Sequence, residues 1–436
     1  MNLTIEEIIK ITGGKLIQSR FNTRTPIPYT LYPNHIVTDS RLVKSGDLFV
    51  ALSGRLFEVT DSSHDGHDFL KEVFKNGADG VIVSCPSDSK RMEQLLKLKF
   101  KFIIQVKDTL DAYQAIALYW REKFNIPVIA ITGSNGKTTT KNMVTAVVEK
   151  KYRTLSSLGG FNNQVGVPAS LLRLDENHQV AVFEAGTNRP GEMKILNSLI
   201  KPTMTIITNI GPAHLKEFKT LLNIAKEKSQ LLNGADYAIL NQEDDFFDYF
   251  KSKTRAKILT FGGKDFYDQN REAAQRVGEI LGIDKALIKQ GLESYEHPKM
   301  RMEEIKKRDF TILNDAYNAN PVSMLYALKI FSQQKCSTAY RIAVLGDMLE
   351  LGLSSKKYHD FIGQNMPSGI GVLITVGDQA RRIADIVKKN HKIKTVAIFK
   401  NNKLAASYLR KIIKKGDLVL LKASRGMKFE EIVNNF

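Results

Sequence analysis

At 436 residues the chain is long enough for about three domains of roughly 150 residues each, and its 43 % apolar and 25 % charged residues exclude a disordered, collagenous or coiled-coil polymer. No apolar run approaches the roughly 20 residues that cross a bilayer, and the two cysteines, Cys85 and Cys336, are too few for a disulfide framework, so a reduced, cytoplasmic protein without membrane insertion is expected. Lysine and arginine outnumber aspartate and glutamate by 64 to 46, a net charge of +18 that favours anionic partners without naming one.

The N-terminal segment Met1–Leu16 reads as an amphipathic helix, acidic first and basic last, and lacks the apolar core of a signal peptide. Apolar runs follow at Leu48–Leu52, Val81–Val83 and Phe102–Val106, with a helical pattern over His67–Asn76. Asp111–Phe124 is predicted as a helix with Ala112, Ile116, Tyr119 and Trp120 on one side. It is stopped by Asn125-Ile126-Pro127, because proline disfavours helical geometry in the residue before it. Buried-strand candidates then recur at Val128–Thr132, Val180–Phe183, Thr203–Thr208, Tyr237–Leu240 and Lys257–Phe261, mostly separated by helical stretches. The alternation restarts at Phe310–Leu313, Ile342–Leu345, Val372–Val376, Thr395–Phe399 and Leu418–Lys422, which predicts a second doubly wound unit. The fold class expected is α/β in three domains, with boundaries at 1–109, 110–297 and 298–436.

The strongest local signal is Val128-Ile-Ala-Ile-Thr-Gly-Ser-Asn-Gly-Lys-Thr-Thr-Thr140, a buried strand running through a small-residue loop into a helix. Backbone N–H groups at Gly133, Ser134, Asn135, Gly136 and Thr139 would cradle phosphate oxygens at the helix N-terminus. Lys137 would reach the outer phosphates of ATP, and the Thr138 hydroxyl would ligate Mg²⁺. The loop is a compact variant, since the usual first glycine of a phosphate loop falls on Ile131. Glu184 follows the apolar run Val-Ala-Val-Phe and His214 lies in Thr-Asn-Ile-Gly-Pro-Ala-His, both at strand ends where ligands bind in parallel sheets. Lys228 falls on the helix that begins near Leu221, and the residues alone say little about it. A third cluster, Asn314-Asp-Ala-Tyr-Asn-Ala-Asn-Pro321, is either an Asx-rich turn or a ligand loop carrying Asp315, Asn318 and Asn320. Arg301 is a natural phosphate partner. The loop Gly346-Asp-Met-Leu-Glu-Leu-Gly352 falls on the same predicted sheet edge.

These motifs resemble the Mur ligases, which build the peptide stem of bacterial cell-wall precursors. The resemblance rests on Thr132–Thr140, Thr38-Asp-Ser-Arg41, Gly46–Leu52, Asp65-Gly-His-Asp-Phe69, Asn162-Asn-Gln-Val-Gly-Val-Pro168, Tyr317-Asn-Ala-Asn-Pro321 and Leu345–Gly352. They span the chain in the family's order, and they match best the branch that adds D-alanyl-D-alanine to UDP-N-acetylmuramoyl-tripeptide. The resemblance implies an N-terminal UDP-substrate domain, a central ATPase domain and a C-terminal Rossmann-like domain. It implies that ATP phosphorylates the tripeptide's terminal carboxylate and that the dipeptide amine attacks the acyl phosphate, yielding a pentapeptide. By the same resemblance Lys137 and Thr138 hold phosphate and the first Mg²⁺. Glu184 is a ligand of that ion, His214 of a second one, and Lys228 is a carbamylated lysine serving it. Arg301 and Asp315 contact phosphate and ribose, Asn270 contacts adenine, and Asn318 and Asn320 belong to a closing loop. Thr38, Ser40 and Arg41 lie near the UDP moiety, and the chain is expected to act as a monomer.

Three departures stand out. The segment between Phe261 and Asn270 is short and places Phe266 and Tyr267 where the family has a His-Asn pair, Val59–Ser63 is an apparent insertion, and Gln230 replaces a common glutamate. Two alternatives stay open at this level: another ATP-dependent amide ligase, such as a folylpolyglutamate synthase, and a polynucleotide-stimulated NTPase. The second finds no nucleic-acid module in the sequence, so no nucleic-acid partner is expected.

Overall fold

A computed structural model describes residues 3–19, 32–53, 65–84, 89–334 and 340–436. Cys85, Cys336 and the Val59–Ser63 insertion lie outside them. Three sheets follow one another along the chain. The first contains β1 (Lys15–Ser19), β2 (Ile36–Val37), β3 (Leu48–Val50), β4 (Gly80–Ser84) and β5 (Phe102–Val106) in the order β1-β5-β4-β3-β2, parallel except for β1 against β5. The second contains β6 (Val128–Thr132), β7 (Thr154–Ser156), β8 (Val180–Glu184), β9 (Met204–Ile207), β10 (Tyr237–Asn241) and β11 (Lys257–Phe261) in the all-parallel order β11-β10-β9-β6-β8-β7. The third orders β12 (Glu303–Lys306), β13 (Thr311–Asn314), β14 (Arg341–Gly346), β15 (Val372–Val376), β16 (Thr395–Phe399) and β17 (Leu418–Lys422) as β12-β13-β17-β14-β15-β16, with only β12 antiparallel.

Every residue of β6 and β8 is buried. Helices cover both faces of such strands, which is why they read as unbroken apolar runs. The N-terminal helix is shorter than its amphipathic pattern suggests and occupies only Ile5–Thr12. Thr4 and Glu7 form a reciprocal capping box at its start, and Gly13, at φ 61°, closes it in the left-handed region. Lys15 and Leu16 therefore belong to β1, not to the helix.

The helix Thr109–Glu122 begins at Asp108, whose carboxylate accepts from the Leu110 and Asp111 amides. It serves as a wall shared by two sheets. One apolar cluster runs from Leu48, Ile82 and Ile104 through Ile116 and Trp120 to Val128 and Phe183. Arg121 on the same helix is buried and donates to the carbonyls of Ile200, Phe124 and Lys201. A second cluster joins Leu215, Phe218 and Ile224, which follow the second sheet's β9, to Met324, Leu328, Met348 and Leu351 around the third sheet. Each neighbouring pair of sheets thus shares apolar contacts.

Candidate active site

In the second sheet the strand order reverses at β6, and the crevice at its carboxyl end is where an α/β sheet places its ligand. Here β6 gives way to the loop 133–136 and then to the helix Lys137–Val148, which no side chain caps. Its first amides are left for an anion. Two glycines make the loop possible. Gly133 has φ 148°, and a Cβ there would stand 1.9 Å from Thr208 Oγ1; Gly136 has φ 81°, and a Cβ there would stand 2.7 Å from Asn270 Oδ1. The loop is pinned to the end of β9. Ser134 Oγ donates to the Gly211 carbonyl at 3.0 Å and accepts from its amide at 2.9 Å. The Asn135 amide donates to Asn209 Oδ1 at 3.1 Å.

Around this loop the chemistry-bearing side chains converge. Thr138 Oγ1 donates to Glu184 Oε2 at 2.6 Å, and Asn162 Nδ2 donates to Glu184 Oε1 at 2.8 Å. Lys137 Nζ rests on the Gly133 carbonyl at 2.9 Å. The C-terminal region contributes across the crevice: Asn320 Nδ2 donates to Asn135 Oδ1 at 2.7 Å, and Glu350 Oε2 lies 2.7 Å from His214 Nδ1. Asp315 is paired with Lys422 at 2.6 Å and accepts from the Met302 amide, while the Arg301 guanidinium stacks 4.0 Å over the Tyr317 ring. Together they border one cavity of about 980 Å³, a volume suited to a nucleotide and a second reactant.

The segment 131–286 matches the Mur ligase middle domain, and 300–425 matches the family's C-terminal module, described as Mur ligase, glutamate ligase domain. The UDP-N-acetylmuramoyl-tripeptide–D-alanyl-D-alanine ligase of Bacillus subtilis is 30 % identical over 470 aligned residues, covering 99 % of this chain and 98 % of that one. The chain is a Mur ligase. The enzyme of the same name from Escherichia coli is also 30 % identical, over 91 % of this chain and 92 % of its own length. Among solved structures, MurF from Acinetobacter baumannii superposes with a TM-score of 0.84 at 28 % identity, covering 99 % and 98 % of the two chains. MurF from Thermotoga maritima in complex with ADP shares the fold, with a TM-score of 0.77 over 93 % of this chain and 97 % of that one.

Of the residues singled out in the sequence, Ser134 to Thr139, Glu184, His214, Asn270, Arg301, Asp315, Asn318 and Asn320 all border the cavity of this Mur ligase. Gly133 and Lys228 do not; Lys228 lies buried beside it at 4 % exposure. Thr38, Ser40 and Arg41 belong to the N-terminal sheet region. The Tyr113 hydroxyl bonds Thr38, the Ser40 carbonyl accepts from Asn76, and the exposed Arg41 forks onto Asp39. Asn270 is buried and its Oδ1 accepts from Thr140 Oγ1 at 2.9 Å, so this amide braces the helix after the loop as well as facing the cavity. Beside it, Tyr267 stacks on His297 with ring centres 5.9 Å apart, and Phe266 meets Tyr326 edge-on at 5.0 Å.

Burial alone would push the Glu184 carboxyl up. Lys137, Arg301 and the bonds from Thr138 and Asn162 outweigh it and hold the group below the usual carboxylate range. Desolvation pulls Lys137 down, opposed by Glu184 and reinforced by Arg301. Desolvation also lowers Lys228, to about 7, with the Lys137 charge adding to it and Glu227 and Glu184 opposing it. The bond from His214 is the main reason the Glu350 carboxyl lies low. Among the described residues no three histidine, cysteine or carboxylate side chains form a ready-made metal cage. Thr138 and Glu184 offer a hydroxyl and one carboxylate, which fits Mg²⁺, an ion that takes few protein ligands and completes its shell with phosphate oxygens and water.

Sequence reasoning assigned no role to Asn162 or Glu350. Asn162 stands in a motif that the sequence displays, but nothing local ties it to Glu184. Glu350 reaches His214 only through the packing of one sheet region on the next.

Proposed function

We propose that this Mur ligase joins D-alanyl-D-alanine to UDP-N-acetylmuramoyl-tripeptide with cleavage of ATP to ADP and phosphate, supplying the pentapeptide precursor of peptidoglycan in the cytoplasm. The observation that carries this reading is end-to-end similarity to ligases of that name, in a chain whose phosphate loop, Glu184 and C-terminal residues border one cavity. The proposed division of labour assigns 1–109 to the UDP-substrate, 110–297 to ATP and 298–436 to the closing Rossmann-like domain, with a monomer as the working unit.

A carboxylate is a poor electrophile until one of its oxygens becomes part of a phosphate leaving group. In the first step the tripeptide's terminal carboxylate oxygen bonds to the γ-phosphorus of ATP and ADP departs. In the second the dipeptide amine attacks the acyl carbon, phosphate leaves, and the amine nitrogen gives up a proton. Lys137 and the loop amides hold the phosphates and offset their charge, and Arg301 approaches from the opposite wall. Thr138 and Glu184 would hold one Mg²⁺, and His214 with Lys228 as a carbamate a second. Bound there, the metal neutralises charge on the transferring phosphoryl group. The carbamate reading is supported by burial, which favours the neutral amine that reacts with CO₂. Asp315 is assigned to the ribose, Asn270 to the adenine end, Asn318 and Asn320 to the loop over the site, and Thr38, Ser40 and Arg41 to the UDP moiety.

The test is phosphate release from ATP with the UDP-muramoyl tripeptide, with and without D-alanyl-D-alanine, followed by mass spectrometry. Release that requires both substrates and yields the pentapeptide is expected, and Lys137→Ala abolishes it. ATP turnover without that product would overturn the assignment.

A further inference from the structure

His214 and Glu350 come from different parts of the chain and meet across the cavity with Nδ1 and Oε2 2.7 Å apart. Both are non-glycine residues in the left-handed region, at φ 52° and 69°, a conformation costing roughly 1–2 kcal/mol per residue. The surrounding contacts hold them there. The Glu350 carbonyl accepts from the Lys216 amide at 3.0 Å. Gly352 lets the two backbones approach, since a Cβ on it would stand 3.1 Å from Lys216 Cα. Leu215 and Leu351 share one apolar cluster. The pair is therefore built into the docking of the C-terminal region on the ATP-binding region.

A carboxylate can only accept a hydrogen bond, so Nδ1 of His214 carries a proton, and in the neutral ring that metal binding requires the lone pair is left on Nε2. Such a carboxylate fixes the ring, selects its tautomer and raises the basicity of the other nitrogen. We infer that Glu350 is a positioning residue, supplied by the C-terminal region, which presents His214 Nε2 as a metal ligand only when that region is docked. The inference rests on the proposed role of His214 as a ligand of Mg²⁺.

The test compares wild type with Glu350→Ala, and with the isosteric Glu350→Gln should the alanine variant fold poorly. The tautomer of His214 is read by ¹⁵N NMR of the metal-free protein, and divalent-cation binding by the free Mn²⁺ signal in electron paramagnetic resonance with ADP present. Wild type is expected to show Nδ1–H. The variant loses that tautomer and binds Mn²⁺ roughly 10- to 100-fold more weakly, with a Tm within about 2 °C of wild type. An unchanged tautomer and Mn²⁺ affinity, or a loss of Tm alone, would overturn the inference. Failure of the ligase reading looks different: wild type would make no pentapeptide while its tautomer and Mn²⁺ affinity still depended on Glu350.

Discussion

Lys228→Met keeps an aliphatic side chain of similar length and removes the charge from a buried amine whose pKa is strongly lowered. The residue is 4 % exposed, and its pKa falls from 10.5 to about 7, a drop of about 3.5 pH units, because desolvation and the neighbouring Lys137 charge outweigh Glu227 and Glu184. Between those two values the unfolded chain binds the extra proton, so stability rises with pH across that window. The penalty is complete below pH 7 and gone above pH 10.5. At about 1.4 kcal/mol per pH unit it amounts to about 5 kcal/mol near pH 6 and about 3 kcal/mol at pH 8. The methionine variant is therefore expected to be more stable than wild type by these amounts, several degrees in Tm, with the advantage growing as pH falls. Thermal unfolding from pH 6 to 9 in CO₂-depleted buffer reads it out, because a carbamate would replace the cation by an anion. The same variant is expected to lose ligase activity. A stability gain that is absent, or that grows with rising pH, would refute the reasoning.

Thr138→Val removes the 2.6 Å bond to the buried Glu184 carboxylate, a charge-assisted bond worth roughly 1.5–3 kcal/mol. Since Glu184 is held low, its contribution is present above the ordinary carboxylate pKa and lost as pH falls through the folded value. The variant is expected to begin acid unfolding at higher pH in a circular dichroism titration. Gly136→Ala combines a left-handed backbone cost of roughly 1–2 kcal/mol with displacement of Asn270 from Thr140, worth about 1 kcal/mol more. Urea unfolding should show a loss of about 2–3 kcal/mol, and KM for ATP should rise. Asn320→Asp keeps the oxygen that caps the helix Pro321–Gln333 by accepting from Ser323, but converts the donor facing Asn135 into an acceptor. Its Tm is expected to stay near wild type while kcat falls or KM for ATP rises; unchanged kinetics would show that this contact does not help assemble the site.

What the sequence makes legible follows from where information is local. The strands β6, β15, β16 and β17 begin and end at the residues their apolar runs mark, because a parallel strand carries its pattern within itself. The four strands without a run are short or lie at sheet edges. Thr154–Ser156 and Ile36–Val37 have three and two residues, Glu303–Lys306 is three charged residues with one isoleucine, and Lys15–Ser19 hides behind a helix-like pattern that only the glycine pair interrupts. The phosphate loop is legible for the same reason as the strands: its glycines and lysine act on neighbouring backbone, and its motif is contiguous in sequence. The braces of the site are not legible, since Asn320 meets Asn135 across 185 positions and Asn270 meets Thr140 across 130. No periodicity encodes such a pair; the first exists only once two sheet regions have packed, the second only once the helices Lys137–Val148 and Phe266–Ile280 have packed on each other.

The two kinds of contact between the ATP-binding and C-terminal regions differ in what they can accomplish. Leu215, Phe218 and Ile224 against Met324, Met348 and Leu351 bury apolar surface, an attraction that is strong but has no preferred direction. It can hold the regions together in several registers. The bonds from Asn320 to Asn135 and between His214 and Glu350 are directional and weaken steeply with misalignment, so they favour one register among those the apolar patch allows. That register brings Arg301, Asp315 and Glu350 to the same cavity as Lys137 and Glu184. Chemistry that must carry one phosphoryl group from ATP to a carboxylate depends on such alignment, because a misplacement of about 1 Å can cost roughly a hundredfold in rate. The polar contacts at this seam thus govern turnover more than stability, whereas the apolar ones govern whether the site assembles at all.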